Sequence, residues 1–455
     1  MIQELTQIFN PKSVAVVGAS SNPDKMGYIL LKGFVDLGFG GNLYPINPDI
    51  SRSVCGLSAY ASVKDVPGDI DLAVITLSPE TVPVIIKECI EKRVRGIIIS
   101  SAFPEGVNPQ ETGLSDILDL ARQNGVRIIG PNALGIYCPS TGVALFSDMP
   151  KKTGTVGFIS HSGAMSWSVS HYLANRGVGL SKVVSCGNEW DLTWTDFLEY
   201  LGQDPDTEII AGYMEGVKCG TRFIQVAKEI AREKPIILIK AGTSSARSEF
   251  ASSHTGSIAG NRNIWSAAFN QAGVISVDSF DDLVDHVITF NYLRDHVIGN
   301  RIGIISGTGG PIVILADLCE KLGLRIPLLS DQTREELRKF LPAYGTSDRN
   351  PVDVSVAAAT NFSLFTQPIE LLGRSDEVDA LICVHTGDWG GEELAKAIVG
   401  ISGHTHKPLM VVLLGTPEKN IGAILSLLQA GIPAFTSLGG VLRAFASLVK
   451  WKIRK

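Results

Sequence analysis

Residues 13–27 read SVAVVGASSNPDKMG: a short β-branched run, Ser13–Val17, stops at Gly18 and passes through a polar loop to Gly27 and an apolar stretch. β-Branched residues favour a strand, the glycine punctuates it, and the periodic apolar pattern that follows predicts an amphipathic helix. The same phrase recurs. Strand-like runs at 72–76, 96–100 and 126–129 alternate with helical patterns at 82–92 and Leu114–Gln123. Parallel strands need crossovers, so this alternation predicts doubly wound α/β architecture.

The phrase continues to the end of the chain. A polar break at 148–154 precedes runs at 155–159, 181–185, Ile209–Met214 and 235–240, closed by a helical pattern at 281–293. A second polar joint at 294–301 leads to Ile302–Ser306, 380–384, Leu409–Leu414 and a helix near 441–450. With 455 residues and roughly 150 per domain, the expectation is three α/β units: 1–148, 149–296 and 297–455. The first is read as Rossmann-like, the others as flavodoxin-like parallel sheets.

Composition excludes several classes. The chain is 45% hydrophobic, 19% charged and only 7% aromatic, with a formal charge of −6. That supports a packed core and argues against disorder. Lys/Arg runs longer than two are lacking before the terminal 450–455 segment, so nucleic acid is not an expected partner. The longest apolar runs, such as Leu409–Leu414, fall far short of the roughly 20 residues a membrane helix needs, and the N-terminus lacks a signal-type core. Seven scattered cysteines without CxxC spacing argue against a metal site and read as buried hydrophobes in a cytoplasmic protein.

In open α/β sheets ligands gather at strand carboxyl ends. The first such turn offers Gly18, Ser20, Ser21, Asn22, Lys25 and Gly27, a set suited to a phosphate-bearing ligand. Its spacing is not GxGxxG, and the second strand ends in Asn47–Pro48 without the acidic residue a dinucleotide site uses on its ribose, which weakens NAD. The turns 100–105 (SSAFPE, with Ser101 and Phe103) and 130–135 (GPNALG, with Asn132) also follow strands and are candidate walls of the same site; Phe103 serves equally as packing.

The second unit opens with a strand running into SHSGA, where Ser160, Ser162 and Gly163 could cradle a phosphate on a helix N-terminus, or Ser162 could simply cap the helix. Glu215 ends another strand. His254 stands in SSHTGS among small polar residues that offer little packing to explain it. A neutral imidazole can attack a phosphoryl centre, and a nearby carboxylate stabilises the imidazolium that develops.

Together, GASSNPDKMG, GPNALG, SHSGA, YMEG and SSHTGSIAG, followed by SGTGGP (306–311) and NPVD (350–353), resemble the α-subunit of NDP-forming acyl-CoA synthetases. Best known are the ADP-forming acetate–CoA ligases, relatives of succinyl-CoA synthetase. The resemblance runs along essentially the whole chain. It implies CoA or acyl-CoA bound by the first unit and phosphate held at Ser160 and Ser162. It makes His254 the phosphorylated histidine and Glu215 its stabilising carboxylate. Mg-ADP or Mg-ATP would sit mainly on a separate ATP-grasp β-subunit in an α2β2 heterotetramer. One position departs: the family pattern carries Gln where this chain has His161. The rivals are a catalytically silent CoA-binding regulatory protein, a protein acetyltransferase and, third, an NAD-dependent oxidoreductase. Retention of His254 and Glu215 argues against the first, and no residues remain after Lys455 for the transferase domain of the second. His404 and His406 are read as a surface turn, since no carboxylate or cysteine pattern completes a metal site.

Overall fold

In the computed structural model, which describes residues 1–49, 53–104, 107, 109, 114–144, 146–242 and 261–455, the run Ser13–Val17 is a strand buried along its whole length. It lies between Asn42–Ile46 and Leu72–Ile75; Gly96–Ile99 and Arg127–Ile129 complete a sheet in which every pair is parallel. The spatial order is 2-1-3-4-5. Chain direction across the sheet therefore reverses between Ser13–Val17 and Leu72–Ile75, where the connecting loops diverge to opposite faces and leave a crevice at the carboxyl ends.

A second sheet repeats this order with Thr153–Ser160, Leu180–Ser185, Ile209–Met214, Ile236–Lys240 and Ile275–Val277, all parallel. Its reversal falls between Thr153–Ser160 and Ile209–Met214, with Tyr213 in register with Ser160. Gly135–Tyr137, a segment of the expected first unit, adds an antiparallel edge strand against Leu180–Ser185.

Both sheets lie in one unit, Met1–Asp278. The reason is visible in side chains that bridge them. The Phe9 ring stacks on Tyr200 at 4.9 Å. Asp191, with 2% of its side chain exposed, receives Arg127, Arg122 and the Ile128 N–H. An ion pair this buried, with its remaining lone pairs satisfied, fixes geometry more than a surface pair would.

The second unit, Ser279–Lys455, holds a third parallel sheet in the order Val352–Asp353, Ile302–Ser306, Ala380–Thr386, Leu409–Leu414, Ala434–Phe435, again 2-1-3-4-5. The helix Phe280–Leu293 packs within this unit. It lies against Leu438–Arg454 through Phe290 and Trp451, whose centroids are 5.9 Å apart, and through Arg443 on Asp282 at 2.6 Å. Five of the seven cysteines are buried, as expected, while Cys219 is exposed. No described helix is long and apolar enough to cross a membrane.

Candidate active site

The expected CoA residues meet at one edge of the first sheet because its strands are parallel. The 18–27 loop follows Ser13–Val17, Asn47 follows Asn42–Ile46, Ser101 and Phe103 follow Gly96–Ile99, and Asn132 follows Arg127–Ile129. Gly18 has φ +91°, and a Cβ there would lie 2.6 Å from Thr76 Oγ1, so only glycine fits the turn. Gly27 lies so close to Gly18 that a Cβ would run into the Gly18 carbonyl. Asn47 Nδ2 donates to the Ala19 carbonyl at 2.7 Å, which gives this strand end a loop-bracing task instead of the dinucleotide carboxylate's.

The loop's polar groups shape it from within. Ser20 Oγ accepts the Asn22 N–H at 3.1 Å and Asn22 Oδ1 accepts the Asp24 N–H at 3.0 Å. Ser21, Asn22 and Lys25 are exposed, and Lys25 stands immediately before the helix Met26–Leu37. Ser101 Oγ donates to the Leu77 carbonyl, and its own carbonyl accepts the Asn132 N–H at 2.9 Å. Phe103 packs edge-on against Trp190 at 4.6 Å.

At the reversal in the second sheet, Ser160 and Glu215 end neighbouring strands. Ser160 is fully buried; its Oγ accepts the Ser162 N–H at 3.0 Å and donates to the Ser162 carbonyl at 2.8 Å, folding the turn tightly. Ser162 caps the helix Gly163–Asn175 by accepting the Met165 N–H at 3.3 Å. The capping and cradle readings are thus compatible. The serine side chains set the turn, and the N–H groups of the helix's first turn, which have no partners within the helix, face the strand ends.

Glu215 carries the unusual feature. Its Oε2 is buried and has no hydrogen-bond partner among the described residues. Two neighbours hold its main chain. The Glu215 N–H donates to His161 Nδ1 at 3.2 Å, and Lys240 Nζ donates to the Glu215 carbonyl at 2.9 Å. Burial lowers the Lys240 pKa to about 8 against the opposing pull of Glu215. Its ammonium also lies 4.7 Å from the Trp265 ring centroid, a cation–π distance. Lys240, Trp265, Tyr213, Ser266, Ser276 and Asp278 line a cavity of about 690 Å³. His254 lies outside the described residues; Gly242 and Arg262, on either side of it in sequence, both reach this cavity.

Neither Lys240 nor Glu189 was singled out from the sequence. Lys240 carried a signal, a cation ending an apolar strand (IILIK), and Glu189 a weaker one, an acid in the turn after a strand. In the second unit, Ser306 and Thr308 reproduce the Ser160–Ser162 geometry: Ser306 Oγ accepts the Thr308 N–H at 3.2 Å and donates to its carbonyl at 2.9 Å. His404 pairs with Glu370 in a short helical turn.

Residues 12–139 match the family described as CoA binding domain, 153–290 the Succinyl-CoA ligase like flavodoxin domain, and 302–438 the Ligase-CoA domain. The chain is 39% identical to the α-subunit of acetate–CoA ligase [ADP-forming] II of Pyrococcus furiosus, over 84% of this chain and 82% of the relative.

The chain belongs to the ADP-forming acetate–CoA ligase family.

Its likeness extends to members of different organisation. Acetate–CoA ligase [ADP-forming] I of Archaeoglobus fulgidus is 37% identical over 84% of this chain, which spans only 55% of that longer relative. Among solved structures, the dinucleotide forming acetyl-coenzyme A synthetase 1 of Ca. Korarchaeum cryptofilum, in complex with phosphate and ADP, is 30% identical. That match covers 99% of this chain and 97% of the other, with a TM-score of 0.88. The alternating α/β architecture with parallel sheets is thus a family property of this chain.

Proposed function

We propose that this chain is the acid- and CoA-handling subunit of an ADP-forming acetate–CoA ligase and passes a phosphoryl group through His254. In the ATP-forming direction, an oxygen of inorganic phosphate attacks the acetyl-CoA carbonyl carbon, and the C–S bond breaks with release of CoA. A nitrogen of His254 then attacks phosphorus in the acetyl phosphate. The P–O bond to the acyl group breaks and acetate leaves. ADP finally takes the phosphoryl group from the histidine. The reverse sequence makes acetyl-CoA from acetate, ATP and CoA.

The observation that carries this reading is the buried Glu215 Oε2 beside the 160–162 turn, which has no hydrogen-bond partner among the described residues. Leaving a buried acceptor unpaired costs about 1–3 kcal/mol, and such groups are rare enough to need a reason. An imidazole N–H supplies one: the carboxylate accepts the proton on one ring nitrogen while the other nitrogen bonds to phosphorus. The N–H groups opening Gly163–Asn175, with Ser160 and Ser162 shaping the turn, would hold the phosphate oxygens.

CoA would lie at the first sheet's carboxyl edge, its phosphates toward Gly18, Ser20, Ser21, Asn22, Lys25 and Gly27. Asn47, Ser101, Phe103 and Asn132 would form the walls. The glycine-only approach of Gly27 to Gly18 packs the start of the helix against the strand end and so fixes the course of the loop between them. Mg-ADP would be held mainly by an ATP-grasp partner, in an α2β2 assembly in the cytoplasm; the extra length of the A. fulgidus relative supports a second component.

The test is phosphorylation of this chain with its ATP-grasp partner, Mg²⁺ and γ-labelled ATP, mapped under alkaline conditions. Acid-labile label on His254, absent from His254→Ala, is the expected result. A folded, CoA-binding complex that takes no label would overturn the relay and favour a regulatory CoA-binding protein.

A further inference from the structure

His161 occupies the middle of the 160–162 turn, yet its side chain is only 6% exposed and so does not face a ligand from solvent. Its bonds run the other way. Its main-chain N–H donates to the Tyr213 carbonyl at 3.3 Å, and its Nδ1 accepts the Glu215 N–H at 3.2 Å. One residue therefore grips the end of Ile209–Met214 on both sides of Met214.

The second bond decides the ring's protonation. A main-chain N–H can only donate, so Nδ1 must be the bare nitrogen, and the ring proton of a neutral imidazole sits on Nε2. Nε2 lies 3.3 Å from Glu189 Oε1, and that carboxyl is itself buried with 5% of its side chain exposed. Glu189 is held in turn. Its Oε1 accepts the Trp194 N–H at 2.5 Å, and its backbone adopts φ +57°, an unfavourable region for a residue with a Cβ. The turn that carries it is fastened to the first sheet's carboxyl edge by Asn188 N–H on Pro131 at 2.9 Å and Trp190 N–H on Gly130 at 2.9 Å.

His161, Cys186 and Glu189 place donor atoms within 4.8 Å of one another, a spacing a metal ion could use. Each atom is already engaged within the protein, however. Nδ1 faces Glu215, Glu189 holds Trp194, and the Cys186 thiol donates to the Ser160 carbonyl at 3.2 Å, with burial pushing that thiol well above its usual range. The cluster is a hydrogen-bonding frame.

We infer that His161 is a positioning residue for phosphoryl transfer: its ring, fixed as the Nε2–H tautomer, locks Glu215 to the phosphate turn on one side and to Glu189 on the other. This rests on the relay proposed above. The ring acts through its neighbours: by holding the Glu215 main chain it sets where the Glu215 carboxyl stands relative to Ser160 and the helix N-terminus. What the site needs at position 161 is one acceptor and one donor at the ends of a short rigid group. A glutamine carboxamide supplies both without a titrating ring, and leucine supplies neither.

The experiment compares wild type, His161→Gln, His161→Asn and His161→Leu, each assembled with the ATP-grasp partner, for the rate of His254 labelling and for CoA affinity. Misplacing a group by about 1 Å costs on the order of 100-fold, so His161→Leu and the too-short His161→Asn should lose about 10- to 100-fold in kcat. KM for CoA should stay within about 2-fold, and His161→Gln should recover to within about 3-fold of wild type. If Gln fails as badly as Leu, or if Leu and Asn keep wild-type rates, or if the loss falls on KM for CoA, positioning is overturned. An unlabelled wild type would overturn the relay itself, which separates the two failures. Nitrogen NMR of histidine-labelled wild type gives a check free of variants: a bare Nδ1 with protonated Nε2 is expected, and a protonated Nδ1 would refute the frame.

Discussion

Lys240 Nζ donates to the main-chain carbonyl of Glu215 at 2.9 Å, while the Glu215 Oε2 has no partner among the described residues. The lysine thus braces the residue without neutralising its carboxyl by direct pairing. Because burial lowers the Lys240 pKa to about 8, the unfolded chain holds this proton more tightly than the folded one. The group therefore adds to stability as pH rises from about 8 toward the ordinary lysine range near 10.4. Acetylation by acetic anhydride, read by mass spectrometry across pH, should show Lys240 half-reactive near pH 8, well below the usual range. A midpoint near 10 would contradict the burial argument.

The buried His286 predicts acid weakness in the second unit. Its Nδ1 pairs with the Asp282 carbonyl at 2.6 Å and its Nε2 with Ser447 Oγ at 3.0 Å. Burial lowers its pKa from 6.5 to about 4, so the folded state resists a proton the unfolded chain accepts. Stability should fall as pH drops from 6.5 to about 4, by up to about 3 kcal/mol from this group. Urea unfolding at pH 7 and 4.5 measures it, and His286→Gln should flatten that dependence.

Lys182 is a case where removing one partner should cost more than the pair contributes. With 3% of its side chain exposed, it donates to both Asp204 carboxylate oxygens at 2.8 Å and reaches Asp206 at 3.1 Å. Burial alone would lower its pKa, but the bonds to Asp204 and Asp206 outweigh that and raise it. Lys182→Met leaves the Asp204 charge buried and should destabilise by about 3–5 kcal/mol. Denaturant melts of Lys182→Met, of Asp204→Asn and of the double variant measure the coupling; the second change should recover part of the loss.

At the CoA edge, Gly27→Ala drives a methyl group into the Gly18 carbonyl. The loop must open, and CoA affinity measured by calorimetry should fall at least about 10-fold, roughly 1.4 kcal/mol. The midpoint of thermal unfolding should shift much less, because Ser21–Met26 are exposed.

How much of this was legible in the sequence follows from the range of the interactions involved. The Ser13–Val17 run with Gly18, and the SHSGA turn, announce themselves because a strand, a glycine and a cap are written within fifteen residues. Glu215 was legible as a carboxylate at a strand end, but its orphaned oxygen depends on what packs around it. The joining of the first two sheets rests on Arg127 with Asp191 and Phe9 with Tyr200, pairs separated by dozens of residues that leave no periodic trace. Helix Phe280–Leu293 reads as the end of one unit because sequence proximity says so. Its buried residues run almost all the way round, so the pattern names no partner, and contacts such as those to Trp451, Arg443 and Ser447 show where it packs. In sequence His161 is a departure from a pattern; that its two nitrogens face a donor and a carboxyl is set by Glu189 and Glu215, 28 and 54 positions away.

The proposed relay takes phosphate from the acyl side and stores it on His254. The most direct measurement supplies the complex with the ATP-grasp partner with acetyl-CoA and labelled inorganic phosphate, with no nucleotide present, and maps the label. Label on His254 together with release of acetate and CoA, strongly reduced in Glu215→Ala although that variant still binds CoA, is the predicted result. Turnover of acetyl-CoA with no label on His254, or full labelling without the Glu215 carboxylate, would contradict it.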